Sequence, residues 1–378
     1  MNSNPLELVI DGIIFENQSQ GGASRIYSEI LPRMCELEAS LGITLLLSGK
    51  SRKVLPVHPH IKRQVFPPIE RMIYPGRWFG WSIRPRLRSL VQRLGLEKLK
   101  HAIWHSTYYT LPTQWNGPIV VTVLDMIHEN FPNLFDRQMD TQFRKQKQRC
   151  LSVADAIICI SESTRYDLLQ TYAVDANKTH VVPLAASEIF TVRRDSDKLD
   201  LPTSRPFLLY VGGRSHYKNF SLLLLAYAAW PRHTDIDLVV VGNNWSKSEE
   251  RQLAELQIAE NVYLLHHIED KDLCRLYNKA LALVYPSLYE GFGIPVLEAM
   301  ACGCPVIASR IPTTVEIASD VPLYFEPTEI ESLHCALDDA LSSTTRDNHI
   351  NIGLEHGKRY SWYKTAKKFL EVYHAQSA

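Results

Sequence analysis

The sequence predicts an α/β protein built from two doubly wound, Rossmann-like domains that face each other across a cleft. Three observations lead to this prediction. The chain has 378 residues, a length that is usual for two domains. Short apolar runs alternate with helix-like segments, as they do in parallel α/β sheets. A polar, charged stretch over residues 191–205 divides these runs into two sets and is the predicted linker.

Ten continuous apolar runs predict parallel strands that are buried on both faces. In the first domain the runs cover residues 6–10, 43–47, 119–124, 156–160 and 180–183. In the second domain they cover residues 207–211, 237–241, 262–265, 281–285 and 305–308. Sheets of this kind bind ligands outside the carboxyl ends of their strands. We therefore expect functional residues directly after the strands.

Charge and composition narrow the class of partner. Lys+Arg and Asp+Glu total 41 each, so the net charge argues against a nucleic-acid partner. Residues 61–101 nevertheless hold ten Lys or Arg side chains against Glu70 and Glu97, with aromatic side chains between them. Such a segment suits an anionic membrane surface or a phosphorylated acceptor. The alternative is a solvated region whose aromatic side chains belong to a core.

The cysteines and the hydropathy pattern indicate the compartment. The sequence has seven cysteines without a Cys-x-x-Cys pair, so we expect free thiols in a reducing cytoplasm, no metal site and no cofactor. The N-terminal residues lack a signal-peptide pattern, and no apolar run approaches the ~20 residues that span a bilayer. We expect a cytoplasmic protein, with a peripheral position on the inner face of the plasma membrane as the alternative.

Two carboxylates, Glu290 and Glu298, lie eight residues apart around a Gly-rich bend. Glu290 follows a predicted strand, and Pro295 has the fixed φ that suits the first turn of a helix. The bend therefore brings both carboxylates to one helix N-terminus, which attracts phosphate-type anions. Because carboxylates accept hydrogen bonds from adjacent hydroxyls, we expect Glu290 and Glu298 to bind sugar hydroxyls. The alternative is ordinary capping of the helix by acidic residues.

A second motif opens the second domain. Gly212 and Gly213 follow an apolar strand, and the cations Arg214 and Lys218 come directly after them. An Arg fork and a Lys point charge, four residues apart, suit a diphosphate. The alternative is a solvated pair of cations at a helix start.

Weaker candidates lie in the first domain. Gly21, Gly22 and Arg25 precede a helical pattern, where paired glycines let the backbone approach a ligand, although the pair is also a simple turn. Asp125 ends an apolar strand, with His128 close behind it. A histidine can act as a base or a hydrogen-bond partner, so His128 and His105 are candidates too. The alternative is that Asp125 caps a turn and both histidines are structural.

These stretches together resemble the retaining glycosyltransferases of family 4, which have the GT-B fold. The resemblance is most specific over YVGGRSHYKNF and SLYEGFGIPVLEAMACGCPVIAS in the second half. The segments GGASR, VLDMIHENFP and SWYKTAKKFLEVY support it. It implies an acceptor-side domain over residues 1–190, joined by a C-terminal helix over 361–378 that crosses back to it. It also implies a nucleotide-sugar-binding domain over residues 191–360.

The resemblance also implies roles for the site residues. Arg214 and Lys218 would hold the diphosphate of a nucleotide sugar, without a metal ion. Glu298 would bind the ribose hydroxyls, and Glu290 would lie beside the transferred sugar. Backbone donors near that sugar would come from Gly291, Phe292 and Gly293.

One position departs from the family pattern. Many members carry His-Asp where this chain has Leu124-Asp125, and leucine cannot donate the hydrogen bond of that histidine. The role of that histidine is therefore either lost or moved to His105 or His128, and Asp125 stays a candidate for the acceptor or sugar side.

The predicted function is transfer of a hexose, with mannose as the first candidate, from a GDP- or UDP-linked donor to a glycan or lipid-linked acceptor in cell-surface polysaccharide synthesis. The alternatives are a nucleotide-sugar epimerase or hydrolase on the same fold, and a non-catalytic nucleotide-sugar-binding regulator. A dinucleotide oxidoreductase is disfavoured because residues 11–15 lack the Gly-x-Gly-x-x-Gly turn after the first strand.

Overall fold

A computed structural model describes residues 5–17, 22–47, 51, 55–65, 96–112, 114–193 and 203–377. The chain divides into two compact units. The first unit comprises Met1–Leu184 together with Trp362–Ala378, and the second comprises Ala185–Ser361. Residues 194–202 of the predicted linker, and residues 66–95 of the basic and aromatic segment, lie outside the described residues.

The described residues of the first unit form a seven-stranded parallel sheet with the strand order β3-β2-β1-β4-β5-β6-β7. The order changes direction beside β1, which places a switch point between β1 and β4. The strands are β1 (Glu7–Asp11), β2 (Gly42–Leu47), β3 (Ile61–Val65), β4 (Ile103–Ser106), β5 (Ile119–Val123), β6 (Ala156–Cys159) and β7 (Thr179–Val181).

Two helices of the first unit begin at side chains that cap them. The Asp136 side chain accepts hydrogen bonds from the amides of Gln138 and Met139, and Ser161 accepts one from Thr164, so each starts a helix by satisfying its free N–H groups. The helices are α1 (Ile13–Asn17), α2 (Gly22–Leu37), α3 (Ile127–Asn130), α4 (Arg137–Val153) and α5 (Glu162–Thr171).

The described residues of the second unit form a six-stranded parallel sheet with the order β10-β9-β8-β11-β12-β13. The order changes direction between β8 and β11, so ligand-binding loops are expected at the carboxyl ends of these two strands. The strands are β8 (Phe207–Val211), β9 (Asp237–Val241), β10 (Val262–Leu265), β11 (Ala282–Tyr285), β12 (Val306–Ser309) and β13 (Leu323–Phe325).

Helices cover this second sheet, and large side chains fill the space between them. Leu208, Val240 and Val284 of the sheet pack in one core with Tyr227 and Trp230. Burying a side chain of this size contributes roughly 1.5–3 kcal/mol to stability. The helices are α6 (Phe220–Ala229), α7 (Lys247–Glu255), α8 (Asp270–Lys279), α9 (Ile294–Ala301), α10 (Pro312–Ala318), α11 (Ile330–Leu341) and α12 (Ser343–Gly357).

The C-terminal helix α13 (Trp362–Ser377) belongs to the first unit, where it packs against α2. Its apolar positions Trp362, Phe369 and Tyr373 are buried, as the helical spacing predicts. The hydroxyl of Thr365 donates to the carbonyl of Pro183 over 2.7 Å. The chain therefore returns to its N-terminal half after completing the second unit.

The predicted fold class is confirmed, and each of the ten predicted runs contains a strand whose ends agree to within one or two residues. Three further strands were not predicted. In β3 only Ile61 is buried and the other side chains are polar or exposed, so the segment lacks an apolar run. In β4 a histidine and a serine interrupt the apolar pattern, and β13 has only three residues. In the described part of the chain, the helices are too short or too polar for any of them to span a membrane.

Candidate functional site

The loop after β11 carries Glu290, whose carboxylate accepts hydrogen bonds from Lys218 and Ser287. Lys218 Nζ donates to both carboxylate oxygens, over 2.6 Å to Oε1 and 2.8 Å to Oε2. The hydroxyl of Ser287 donates to Oε1 over 2.6 Å, and that of Thr313 donates to the Glu290 carbonyl over 2.7 Å. The structure thus brings together Glu290 and Lys218, which are 72 residues apart in the chain.

Lys218 reaches Glu290 because the loops after β8 and β11 are joined. The amide of Leu288 donates to the carbonyl of Tyr217 over 2.7 Å. Lys218 ends a short 3-10 helix (His216–Lys218), and Asn219 next to it has the left-handed φ of 55° that asparagine tolerates. This turn separates the 3-10 helix from α6 and fixes the direction in which the lysine leaves the backbone.

The glycine turn before Lys218 leaves room at the backbone. Gly212 has a φ of +144°, which side chains other than hydrogen rarely permit. A Cβ atom built on Gly212 or Gly213 would meet no described atom within 4 Å. This turn therefore has the open space that a ligand needs to approach the backbone closely.

Glu298 lies in α9, one turn from its start. Gly293 precedes the helix with a φ of +125°, and Pro295 occupies the first turn, as predicted. Glu298 is buried, and its Oε2 accepts a hydrogen bond from the hydroxyl of Tyr277 over 3.0 Å. Burial, followed by the nearby Glu298 charge, raises the pKa of Tyr277 well above its usual value. Tyr277 therefore stays a hydrogen-bond donor at neutral pH.

The neighbouring backbone donors are Gly291, Phe292 and Gly293. Phe292 is buried with its ring 6.2 Å from that of Tyr360, so only its main chain is suited to ligand contact.

Arg214 is held on one side by residues that sequence reasoning missed. Its Nε donates to Glu249 Oε1 over 2.6 Å, and its Nη2 donates to the carbonyls of Asn243 and Asn244 over 2.8 Å each. The guanidinium carbon lies 4.5 Å from the ring centroid of Trp245. In the sequence, only Gly242, directly after β9, indicates a loop at this place.

In the first unit, Asp125 lies two residues after the end of β5, although the sequence predicted that it ends the strand. Its Oδ1 accepts a hydrogen bond from the amide of Ile127 over 3.1 Å, which is the turn-capping contact of the alternative interpretation. The buried Lys147 donates to the Asp125 carbonyl over 2.9 Å and to Glu129 Oε2 over 3.0 Å. Lys147 thereby fixes the backbone of this loop, although nothing in its local sequence predicts such a contact.

His128 lies between two aromatic rings. Its ring centroid is 4.0 Å from that of Phe135 and 4.1 Å from that of Phe143. Its Nδ1 is 2.8 Å from Asp140 Oδ1, and Asp140 also pairs with Arg144. The stacking and the carboxylate fix the orientation of the imidazole.

His105 does not lie where a substrate reaches it in this structure. It belongs to β4 and is fully buried, with Nε2 near the hydroxyls of Tyr27 and Thr122 and Nδ1 2.9 Å from the Tyr373 hydroxyl. Burial lowers the pKa of His105 to about 3, so the ring is neutral at pH 7. Its surroundings are those of a core histidine, because the strand buries both of its faces.

The glycine pair near the first helix is only partly described. Gly22 starts α2 and is exposed, and Arg25 is half-buried on the same helix. Gly21 lies outside the described residues.

All seven cysteines lack a disulfide partner. Among the residues that the structure describes, no cluster of three or more His, Cys, Asp or Glu side chains could hold a metal ion.

Known families match both halves of the chain. A family model described as glycosyl transferases group 1 matches residues 191–355, and one described as glycosyltransferase family 4 matches residues 39–186. The group 1 match falls within the second structural unit, and the family 4 match covers the first unit from residue 39 and ends two residues beyond its boundary at Leu184. The two models together cover most of the sequence.

Individual relatives agree with these models. The O-antigen chain mannosyltransferase B of Escherichia coli is 27% identical over 292 residues, which cover 75% of this chain and 76% of the relative. The O-antigen chain mannosyltransferase RfbU of Salmonella typhimurium is 29% identical over 265 residues, which cover 70% of each.

Solved structures share the fold. A sucrose-phosphate synthase from Thermosynechococcus elongatus superposes with a TM-score of 0.78 at 21% identity, covering 98% of both chains. HepE from Anabaena, in complex with UDP-glucose, gives a TM-score of 0.72 at 16% identity and covers 98% of this chain and 100% of HepE.

The architecture of two parallel α/β units with a returning C-terminal helix is therefore that of a GT-B glycosyltransferase. The chain belongs to the group 1 glycosyltransferases of family 4.

Proposed function

We propose that this glycosyltransferase moves a hexose, with mannose as the first candidate, from a nucleotide-diphosphate sugar to a hydroxyl of a glycan or lipid-linked acceptor. We further propose that it keeps the anomeric configuration and needs no metal ion. The mannose assignment rests on the two O-antigen mannosyltransferases that resemble this chain. A nucleotide-sugar donor is supported by HepE, a distant neighbour whose structure holds UDP-glucose.

The observation that carries the proposal is the contact of Lys218 with Glu290 next to an open glycine turn. It puts a cation and a carboxylate on two loops that a main-chain hydrogen bond joins. The diphosphate would lie against the Gly212–Gly213 backbone, with Lys218 as a point charge. The N-terminus of α9 adds a further favourable field for anions.

In the proposed reaction, the acceptor oxygen forms a bond to the anomeric carbon while the bond from that carbon to the donor's phosphate oxygen breaks. Attack on the same face retains the configuration. The acceptor proton passes to the departing phosphate oxygen, and the products are a glycoside and a nucleoside diphosphate. Lys218 and Arg214 would stabilise the negative charge that develops on the diphosphate, because fixed cations need no reorganisation during the reaction.

The two carboxylates would position the donor. Glu290 can accept hydrogen bonds from sugar hydroxyls at the carboxylate that Lys218 and Ser287 already orient. Glu298 would accept hydrogen bonds from the ribose hydroxyls, with Tyr277 holding one of its oxygens in place.

On the acceptor side we propose Asp125 and His128. Both follow β5, where Lys147 and Asp140 hold them from the protein side. His128 is the better candidate for the missing family histidine, since the ring of His105 is buried in the core. Gly22 and Arg25, at the start of α2, remain proposed substrate contacts of the same unit, as does Gly21.

The setting we propose is cell-surface polysaccharide synthesis in the cytoplasm, because the two relatives act on O-antigen chains by name. The basic and aromatic segment would give peripheral contact with an anionic membrane.

A donor screen tests the proposal. Purified protein is incubated with GDP-mannose, UDP-glucose and UDP-N-acetylglucosamine, with and without lipid-linked glycan acceptors, and released nucleoside diphosphate is measured. We expect acceptor-dependent release with one donor, and Glu290→Ala should remove most of it while the fold persists. Release of free sugar without an acceptor would indicate a hydrolase instead, and binding without turnover would indicate a regulator.

A further inference from the structure

The guanidinium of Arg214 is bound unevenly. Its side chain is only 5% exposed, and its Nε and Nη2 atoms are engaged by Glu249 and two main-chain carbonyls. Its Nη1 is buried and has no hydrogen-bond partner among the residues that the structure describes. Buried donors in native proteins nearly always have a partner, and water or a ligand supplies it where the protein does not.

The space around Nη1 depends on a glycine. A Cβ atom on Gly242 would lie 2.7 Å from Arg214 Nη1 and 2.7 Å from the carbonyl oxygen of Gly212. Both distances are too short for real contacts, so any side chain there displaces the guanidinium or the glycine turn. The carbonyl of Gly212 and the unbonded Nη1 of Arg214 therefore both lie close to Gly242.

Glu249 holds the opposite edge and is itself fixed. It is the third residue of α7 and closes a capping box with Ser246, in which its Oε2 accepts from the amide of Ser246 over 2.6 Å while Oε1 accepts from Arg214. Burial alone would raise the pKa of Glu249, but the hydrogen bonds from Arg214 and Ser246 outweigh it and lower the pKa. The carboxylate is thus charged at neutral pH.

We propose that Glu249 and Gly242 are positioning residues for Arg214, and that they keep its Nη1 edge available to the diphosphate of the donor. This inference rests on the proposed function, because the diphosphate is the ligand of that site. Glu249 and the carbonyls of residues 243–244 hold one side of the planar fork, and the missing side chain of Gly242 makes room for the Nη1 atom itself. The ring of Trp245, whose centroid lies 4.5 Å from the guanidinium carbon, adds a favourable cation–π contact in this orientation.

Glu249→Gln is the informative variant. Glutamine can retain the capping-box contact with Ser246 but removes the charge that faces Arg214. The variant is titrated calorimetrically with GDP or UDP, whichever the wild type prefers. We expect its affinity to be about tenfold weaker, because Arg214 is no longer held by a charge-assisted hydrogen bond from its guanidinium to a carboxylate. Binding of the matching monophosphate should change by less than about twofold, because it lacks the second phosphate. Glu250→Gln, an exposed neighbour on the same helix, is the control and should bind like the wild type.

A double-mutant cycle separates positioning from a general structural effect. If Glu249 acts through Arg214, adding Glu249→Gln to Arg214→Ala should weaken diphosphate binding no further. Gly242→Ala should reproduce the loss independently, with Gly353→Ala, whose new Cβ would meet nothing closer than 3.4 Å, as its control.

The outcomes are distinguishable. The inference is wrong if the affinity losses of the two single variants multiply in the double variant, or if Glu249→Gln binds the diphosphate as tightly as the wild type. Either result leaves the proposed function standing. A wild-type protein that binds neither GDP nor UDP would overturn both.

Discussion

Lys218 and Glu290 place opposite charges in one small region of the second unit. Both carboxylate oxygens accept from the same ammonium group. Each charge compensates the other, which avoids the high cost of a partly buried, unpaired ion. Under the proposed function the cation faces the leaving diphosphate and the carboxylate faces the sugar, so the pair orients two parts of the donor at once.

The ammonium of Lys218 is open to a direct test. Lys218→Met keeps the length of the side chain but removes the charge, so the developing negative charge on the diphosphate loses a fixed cation. We expect kcat with the preferred donor to fall by about 10²-fold or more. Lys271→Met, at an exposed lysine of α8, is the matched control and should keep wild-type turnover. Turnover of the Lys218 variant within about threefold of the wild type would place the diphosphate elsewhere.

The sequence predicts site residues where the signal is local. Glu290, Glu298 and the Gly-Gly turn follow from their own neighbours, because strand ends and helix starts are read over a few residues. Glu249 contacts Arg214 from 35 positions away, and Lys147 contacts Asp125 from 22. Such contacts depend on how the strands are ordered in the sheet, which no short window of sequence records.

Among the structural elements, β4 and the C-terminal helix α13 are joined through one buried histidine. His105 of β4 contacts Tyr373 of α13, Tyr27 of α2 and Thr122 of β5. All three partners are uncharged hydroxyls, so nothing compensates a protonated imidazole in a core that excludes water, and the ring is neutral. His105 therefore belongs to the core of the first unit, although the sequence alone made it a candidate site residue.

The burial of His105 makes the first unit sensitive to acid. Its pKa is about 3 in the folded protein against 6.5 when unfolded, so the unfolded state binds more protons between these values. Titration of His105 therefore leaves the free energy of unfolding unchanged above pH 6.5. Below that pH it decreases the free energy of unfolding as the pH falls towards 3, by at most about 1.4 kcal/mol per pH unit.

Urea unfolding at pH 7, 5 and 4 measures how the free energy of unfolding depends on pH. Hydrogen exchange of the β4 and β5 amides at the same pH values measures the stability of the region around His105. We expect His105→Gln to lose less stability than the wild type between pH 7 and pH 4, by up to about 3 kcal/mol. His101→Gln, at an exposed histidine, should follow the wild type. Parallel pH curves for wild type and His105→Gln would contradict the placement of a neutral ring.

Helices α3 and α4 are joined by a buried ion pair. Lys147 of α4 contacts Glu129 of α3, which also accepts from the hydroxyl of Tyr172 over 2.7 Å. Burial lowers the pKa of Lys147, although the charges of Glu129 and Asp125 oppose this change. The pair holds the loop that carries Asp125 and His128 against the sheet.

Breaking this pair should be costly. Lys147→Met leaves Glu129 buried without its cation, and we expect a loss of about 3 kcal/mol or more in urea unfolding. Adding Glu129→Gln should recover part of that loss, because the uncompensated charge is gone. Lys145→Met, exposed on the same helix, is the control. Additive losses in the double variant would show that the two side chains act independently.

For the molecule as a whole, fold similarity extends further than sequence similarity. The neighbour from Thermosynechococcus elongatus covers 98% of the chain with a TM-score of 0.78, although only 21% of the residues are identical. Alternating apolar runs specify such a fold because many apolar residues can fill a buried parallel sheet. The donor sugar and the acceptor depend on a few side chains, so the fold is predictable from the pattern while the specificity needs an assay.

The most direct test is a structure of the full chain with its nucleoside diphosphate bound. We expect the second phosphate within hydrogen-bond distance of Lys218 Nζ and the backbone amides of the Gly212–Gly213 turn, with the ribose hydroxyls on Glu298. A diphosphate bound in the first unit, or at a position out of reach of Lys218 and Glu298, would contradict the account.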